Sequence, residues 1–320
     1  MRKVCVLEPI HQDGLNILEA AQLEVIKGWE LKPEKLMEEA AKCDGVLIRI
    51  AKISGDFIRN APHLKVIAKH GIGVDNIDVK VATEKKVLVV NAPEANINAV
   101  AEHAFAMVMA LSKNFLEMDK EVRQGNFALR TKVNLVELKG KKVGIIGLGK
   151  IGILLAKKLK GLDVNLLGYD PYADRRIIED AGIKPVDRME EVMADADFIS
   201  VHVPLMDSTR GMIGENEFKQ MKNSSYLVDV SRGGVVDQNA LYQALKTGMI
   251  KGAAVDVYEQ EPPQADNPLF GLDNILLSPH NAALTDEALV AMATQSAQGI
   301  ADCLAGRKPR YVVNSEVLKK

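Results

Sequence analysis

Three side chains suited to moving protons and holding carboxylates occur at matching places in the second half of this chain. Arg232 follows the apolar run YLVDV, Glu261 follows GAAVDVY, and His280 follows NILLS. If these runs are strands of one parallel sheet, all three residues fall beyond its carboxyl edge, where open α/β sheets bind ligands. An imidazole titrates near 6.5 and exchanges protons at neutral pH. A carboxylate beside it favours the protonated ring and fixes its tautomer. A guanidinium presents a planar fork of N–H donors that matches a carboxylate. Each residue alone is ordinary: a lone Arg is usually a solvated charge and a lone His a surface or core residue. It is their shared placement that points to chemistry.

The segment VGIIGLGKIGILLAKKL (143–159) adds a reason to read them together. It contains Gly147, Gly149 and Gly152 in the spacing GxGxxG, after a strand-like run and at the start of a helix-like one. The first glycine permits a tight turn, the second lets backbone approach a pyrophosphate, and the third lets helix and strand pack closely. The helix N-terminus then offers free N–H groups to phosphates. Ile151, Leu155 and Leu159 give that helix an apolar face. The next run, VNLLGYD, ends at Asp170. A carboxylate there accepts hydrogen bonds from ribose hydroxyls and repels a 2′-phosphate, which favours NAD over NADP. Arg175 and Arg176 lie close enough in sequence to soften that preference.

The elements that must position these groups follow from the apolar pattern. Runs at 3–8, 23–26, 46–50, 65–69 and 87–90 read as strands, with helical stretches such as Pro33–Lys42 and Gly55–Asn60 between them. Alternating strands and helices predict a parallel sheet covered on both faces. Ala99–Glu121 has no Gly or Pro and reads as one long helix. Runs at 143–147, 164–169, 198–203, 226–230, 252–256 and 275–278 then read as six strands. The helices between them are Ile151–Lys160, Asp174–Ala181, Met189–Ala194, Asn216–Met221 and Gln238–Lys246. This is a full dinucleotide-binding series. A final helix is expected over Thr285–Cys303. The predicted fold is therefore α/β with two doubly wound parallel-sheet domains. One is discontinuous, 1–98 plus 282–320, and the other, 99–281, is inserted in it, with a hinge and cleft expected at the two crossings.

Bulk properties exclude several classes. The net charge is −2 and no Lys/Arg block stands out, so neither nucleic acid nor an anionic membrane is an expected partner. The opening MRKVCVLEPI is too short an apolar run for a signal peptide, and no stretch of membrane-spanning length is present. Cys5, Cys43 and Cys303 are odd in number and far apart, which fits a reducing, cytoplasmic setting and no metal site.

IIGLGKIG, VDVSRGGVVDQNAL, AAVDVYEQEP and LSPHNAALT resemble segments of the D-isomer-specific 2-hydroxyacid dehydrogenases. GIGVDNIDV, NAVAEHAFAMVMAL and VPLMDSTRGMI do too. The resemblance runs over nearly the whole chain. It implies a Rossmann NAD-binding domain inserted into a flavodoxin-like substrate domain, and Arg232, Glu261 and His280 as the catalytic set. Along the NAD cofactor it implies the glycine loop with Lys150 and Ile151, then Asp170, Val203, Pro204, Val230, Ser231, Asp256 and His280, with Asp256 holding the nicotinamide amide. Many members have Gly two residues after the histidine; here it is Ala282.

Substrate identity is less legible. Gly71-Ile72-Gly73, after a strand, either forms a backbone nest for the substrate carboxylate or is a simple glycine turn. Arg49, Lys52 and Lys69 follow strands of the first domain. Facing the cleft, they would favour a second anion, with 3-phosphoglycerate the leading substrate and hydroxypyruvate or glyoxylate next; otherwise they are solvated. Most relatives are dimers through the nucleotide domain, and a homodimer is expected, with 99–121 either an interface element or buried within the monomer. The competing reading is a nucleotide-sensing corepressor of the same fold. Such proteins carry extended tails, whereas this chain stops soon after its last helix.

Overall fold

The computed structural model describes residues 1–133 and 135–319. The chain divides into two compact units, Met1–Asn96 with Ala283–Lys320, and Ile97–Ala282.

In chain order the first unit lays down β1 (Lys3–Val6), α1 (Gln12–Ala20), β2 (Glu24–Lys27), α2 (Pro33–Ala40), β3 (Gly45–Ile48), α3 (Gly55–Arg59), β4 (Val66–Lys69), α4 (Val79–Glu84) and β5 (Leu88–Val90). The strands form one parallel sheet in the order β2-β1-β3-β4-β5. Successive strand side chains point to opposite faces, and the core divides accordingly. Cys5, Val46, Ile67 and Val89 pack into one apolar cluster, and Val4, Val6, Leu47, Val66 and Leu88 into another. Both faces are covered, so the strands read as near-continuous apolar runs. They are shorter than the sequence suggests, because Glu8, Arg49 and Ile50 have already turned into the loops beyond the sheet.

The second unit opens with α5 (Ile97–Lys113) and α6 (Phe115–Arg123). The single helix expected over 99–121 is thus two. Asn114 takes φ 49° and ψ 41°, a left-handed conformation that Asn tolerates better than most residues and that ends the first helix. Next come β6 (Lys142–Ile146), α7 (Lys150–Lys160), β7 (Asn165–Tyr169), α8 (Arg175–Asp180), β8 (Lys184–Pro185), α9 (Met189–Asp195), β9 (Phe198–Val201), α10 (Glu215–Gln220), β10 (Tyr226–Asp229), α11 (Gln238–Lys246), β11 (Gly252–Val255) and β12 (Ile275–Leu277). The parallel sheet has seven strands, in the order β12-β11-β10-β9-β6-β7-β8. β8 adds a strand to the six expected: it is two residues long, not an apolar run, and its proline sits on an edge strand, where a missing donor is tolerated. The strand order reverses at β6, which pairs with both β7 and β9. The carboxyl edge beside such a switch point is where ligands bind.

The chain then returns to the first unit as α12 (Asp286–Leu304), capped by Thr285, whose side chain accepts from the Ala288 N–H. Ala297, Ile300 and Leu304 join the cluster of Val4, Leu47 and Val66.

Candidate active site

The glycine loop links β6 to α7. Gly147 has φ +91°, and a Cβ there would lie 2.9 Å from the backbone of His202 and Val203, so a side chain is excluded twice. A Cβ at Gly152 would meet the Gly147 carbonyl oxygen at 2.2 Å, which is why α7 can start directly against the loop. Gly149 is different: a Cβ there would meet nothing within 4 Å. It is the N-cap of α7 and provides no side-chain cap, so the start of the helix is left with room beside it. This is a cradle of the kind that admits a pyrophosphate. Asp170, just past β7, accepts from Leu148 N–H on Oδ2 at 2.8 Å and from Tyr172 N–H on Oδ1 at 2.9 Å. It therefore ties the strand end to the glycine loop, and each oxygen keeps a lone pair for a ribose hydroxyl. These residues fit a dinucleotide.

Three further strand ends carry the polar groups singled out in the sequence. At the end of β10, Asp229 Oδ1 accepts from Ser231 N–H at 2.9 Å and from its hydroxyl at 2.5 Å, which shapes the turn bearing Arg232. Arg232 Nη1 donates to Ser231 O at 2.7 Å. Beyond β11, Glu261 accepts from Tyr258 N–H on Oε1 at 3.1 Å, and its Oε2 lies 2.6 Å from His280 Nδ1. Burial pushes the Glu261 carboxyl up, but the hydrogen bond and charge of His280, the Tyr258 N–H and the Arg232 charge together hold it below the usual carboxylate range. The structure therefore brings Glu261 and His280 into contact and sets Arg232 close enough to act on the same carboxylate. With Nδ1 facing Glu261, Nε2 is the ring nitrogen left to exchange a proton. His280 is 43% and Glu261 36% exposed at the side chain, so the pair is reachable.

Asp256, at the end of β11, is buried. Its Oδ1 accepts from Ser278 Oγ at 2.6 Å and from Asn281 N–H at 2.9 Å, and its Oδ2 from Ala282 N–H at 3.0 Å. A carboxylate has about four acceptor positions, so one remains on Oδ2 for a carboxamide N–H. Asp256 thus also holds the turn that carries His280, a role its motif did not disclose. Ser278 lies within LSPHNAALT, but a hydroxyl at a strand end carries no pattern of its own. Val203, Pro204 and Val230 lie just past the ends of β9 and β10, on the same edge.

In the first unit, the Gly71 N–H donates to Lys69 O at 3.0 Å. Among the described residues, the Ile72 and Gly73 N–H groups meet no acceptor. Ala92 N–H and the Asn91 side chain hold the loop through the carbonyls of Gly71 and Ile72. Lys69 is not a free cation: its ammonium donates to Arg49 O and to Asn76 Oδ1. Glu8, unremarked in the sequence, accepts from the Arg49, Ile50 and Ala51 N–H groups at 2.9, 2.8 and 2.6 Å. Arg49 Nη1 donates to Pro9 O at 2.9 Å. The 49–51 loop is therefore clamped by Glu8, Lys69 and Asn76. No helix among the described residues is long and apolar enough to cross a membrane.

Residues 105–282 match the family model for the NAD binding domain of D-isomer specific 2-hydroxyacid dehydrogenases. The chain is 42% identical over 316 residues to a D-3-phosphoglycerate dehydrogenase of Methanocaldococcus jannaschii, covering 98% of this chain and 60% of that protein. It thus spans about three fifths of the length of that relative. It is 36% identical to a glyoxylate reductase of Korarchaeum cryptofilum, covering 99% of this chain and 97% of that one. Among solved structures, D-lactate dehydrogenase with NAD+ from Lactobacillus jensenii superimposes with a TM-score of 0.79 at 27% identity, covering 97% of this chain and 99% of that one. The glycine loop, the Glu261–His280 pair and these matches agree: the chain belongs to the D-isomer specific 2-hydroxyacid dehydrogenase family.

Proposed function

We propose that this chain is an NAD-dependent oxidoreductase that interconverts a D-2-hydroxy acid and its 2-oxo acid. The observation that carries the reading is the 2.6 Å contact between His280 Nδ1 and Glu261 Oε2, beyond a sheet edge whose glycine loop leaves room for a dinucleotide. NAD, when bound, supplies or accepts the hydride. The residues of this chain manage the rest. His280 Nε2 takes the proton from the 2-hydroxyl in one direction and returns it to the 2-oxo group in the other. Glu261 fixes the ring and stabilises its charged form. Arg232 holds the substrate carboxylate and polarises the adjacent carbonyl. The first unit acts as the substrate domain and the second as the cofactor domain, with the Ile72 and Gly73 N–H groups and Arg49 receiving the anionic end of the substrate.

3-Phosphoglycerate is the leading substrate, supported by Arg49 and by the likeness to the M. jannaschii enzyme. A second reading, glyoxylate or hydroxypyruvate, is favoured by the commitment of Lys69 to Arg49 O and Asn76, which takes up ammonium donors that a phosphate would need. A homodimer is supported by the apolar side chains that α6 exposes. A cytoplasmic location is supported by three cysteines that remain free thiols.

The test is NADH oxidation, with NADPH in parallel, across 2-oxo acids with and without a phosphate group. We expect turnover with NADH, and for His280→Ala a loss of about two to four powers of ten in kcat with cofactor binding retained. Absence of turnover across the panel, or an unchanged kcat in the variant, would refute the reading.

A further inference from the structure

His103, a histidine with no role assigned above, sits in the second turn of α5. Its Nε2 is 3.1 Å from Ser278 Oγ and 3.7 Å from Asp256 Oδ1. The Ser278 hydroxyl has one proton. At 2.6 Å from Asp256 Oδ1, it gives that proton to a carboxylate, which when ionised can only accept. Ser278 Oγ must then accept from His103, so the His103 ring carries its proton on Nε2. The line of donors runs from His103 Nε2–H through Ser278 Oγ–H to Asp256, which also takes the N–H groups of Asn281 and Ala282. His280 lies between Ser278 and Asn281 with φ 52°, a left-handed conformation that a side-chain-bearing residue keeps only where its surroundings impose it. The two ends of this network lie near the two points where the chain passes between units, 96/97 and 282/283.

We propose that His103 and Ser278 are positioning residues for His280: acting through Asp256, they hold the 278–282 turn in its left-handed form and so keep the His280 ring against Glu261. The proposal rests on the dehydrogenase reading for its kinetic consequences, but not for its structural ones. If the contacts served the fold alone, replacing them would lower Tm and leave the turnover of the folded protein unchanged.

The variants are Ser278→Ala, His103→Phe and His103→Gln, the last keeping an N–H donor near the Nε2 position. We expect kcat for the 2-oxo acid to fall about tenfold in Ser278→Ala and His103→Phe, since a small misplacement of an acid–base group is costly, while the KM for NADH stays within about twofold. His103→Gln should recover to within about threefold of wild type, the N–H donor being restored. In parallel, the imidazole NMR signal of His280, assigned by its disappearance in His280→Ala, should move or broaden in the first two variants and not in the third. If kcat of the folded protein or the His280 signal is unchanged in both Ser278→Ala and His103→Phe, the proposal is overturned. Should the wild type turn over no 2-oxo acid, the dehydrogenase reading fails. The His280 signal then decides the positioning claim alone: movement in the first two variants and not in the third sustains it, and no movement overturns it.

Discussion

Burial lifts the Asp229 carboxyl from the ordinary 3.8 to about 6, even though the Ser231 hydroxyl and N–H donate to it; Asp256 adds to the rise and Arg232 opposes it. The folded state therefore holds this proton more tightly than the unfolded chain does. Below the unfolded value both states are protonated and nothing is gained or lost. As pH rises from about 4 past about 6 the folded form loses stability, by up to roughly 2–3 kcal/mol. Asp229→Asn keeps an acceptor for Ser231 and removes the charge. We expect its Tm, relative to wild type, to be about 3 °C more favourable at pH 8 than at pH 4.5. Thermal melts at the two pH values test this, and a difference that does not change with pH refutes it. At this scale the sequence singles out Arg232, Glu261 and His280 because each follows an apolar run. It does not disclose Asp229, Ser278, His103 or Glu8. Their importance lies in which N–H or O–H reaches them, and that depends on which strands end side by side.

The strand–turn–helix at 142–160 separates two kinds of glycine. Gly152→Ala would force a methyl group against the Gly147 carbonyl, displacing α7 from the loop. Gly149→Ala meets no protein atom within 4 Å and sits at an extended backbone that alanine adopts freely. If the space at Gly149 belongs to a pyrophosphate, the two variants should part company. Gly152→Ala should lower Tm and weaken NADH binding. Gly149→Ala should leave Tm within about 1 °C and still weaken NADH about tenfold or more. Melts and fluorescence titration check this; unimpaired NADH binding by Gly149→Ala would mean that the cradle is not the cofactor site. Element types were legible throughout both series, since parallel strands buried on two faces leave long Val/Ile/Leu runs. Two elements were not. The break at Asn114 turns on one backbone conformation that a helix-forming composition does not signal. β8 is held by its pairing with Leu167 and Gly168 rather than by its own residues.

For the molecule as a whole, the side chains that stay unburied mark a surface. Phe115, Leu116, Val122, Phe127 and Leu135 are each more than half exposed, all within α6 or the stretch that follows it, and beside them runs a groove whose lining mixes Leu111, Leu129 and Ile275 with Glu117, Lys120 and Lys246. Large apolar side chains left exposed along one stretch are what an association surface offers. We expect light scattering to give a dimer, and Phe115→Ser with Phe127→Ser to shift it to monomer while Tm at high concentration falls. A monomeric wild type at about 50 μM would contradict this, a stable homodimer being associated well below that concentration. The two-series organisation was readable because a glycine fingerprint stood so far into the chain. How the last residues complete the first unit has a consequence for assembly. Ala297, Ile300 and Leu304 fill one face of a sheet whose strands all lie before residue 91. On the ribosome those strands emerge well before α12, and they wait with an open flank until that helix has been made. The interposed unit, whose strands and helices all lie between the two, can close before the one that began ahead of it.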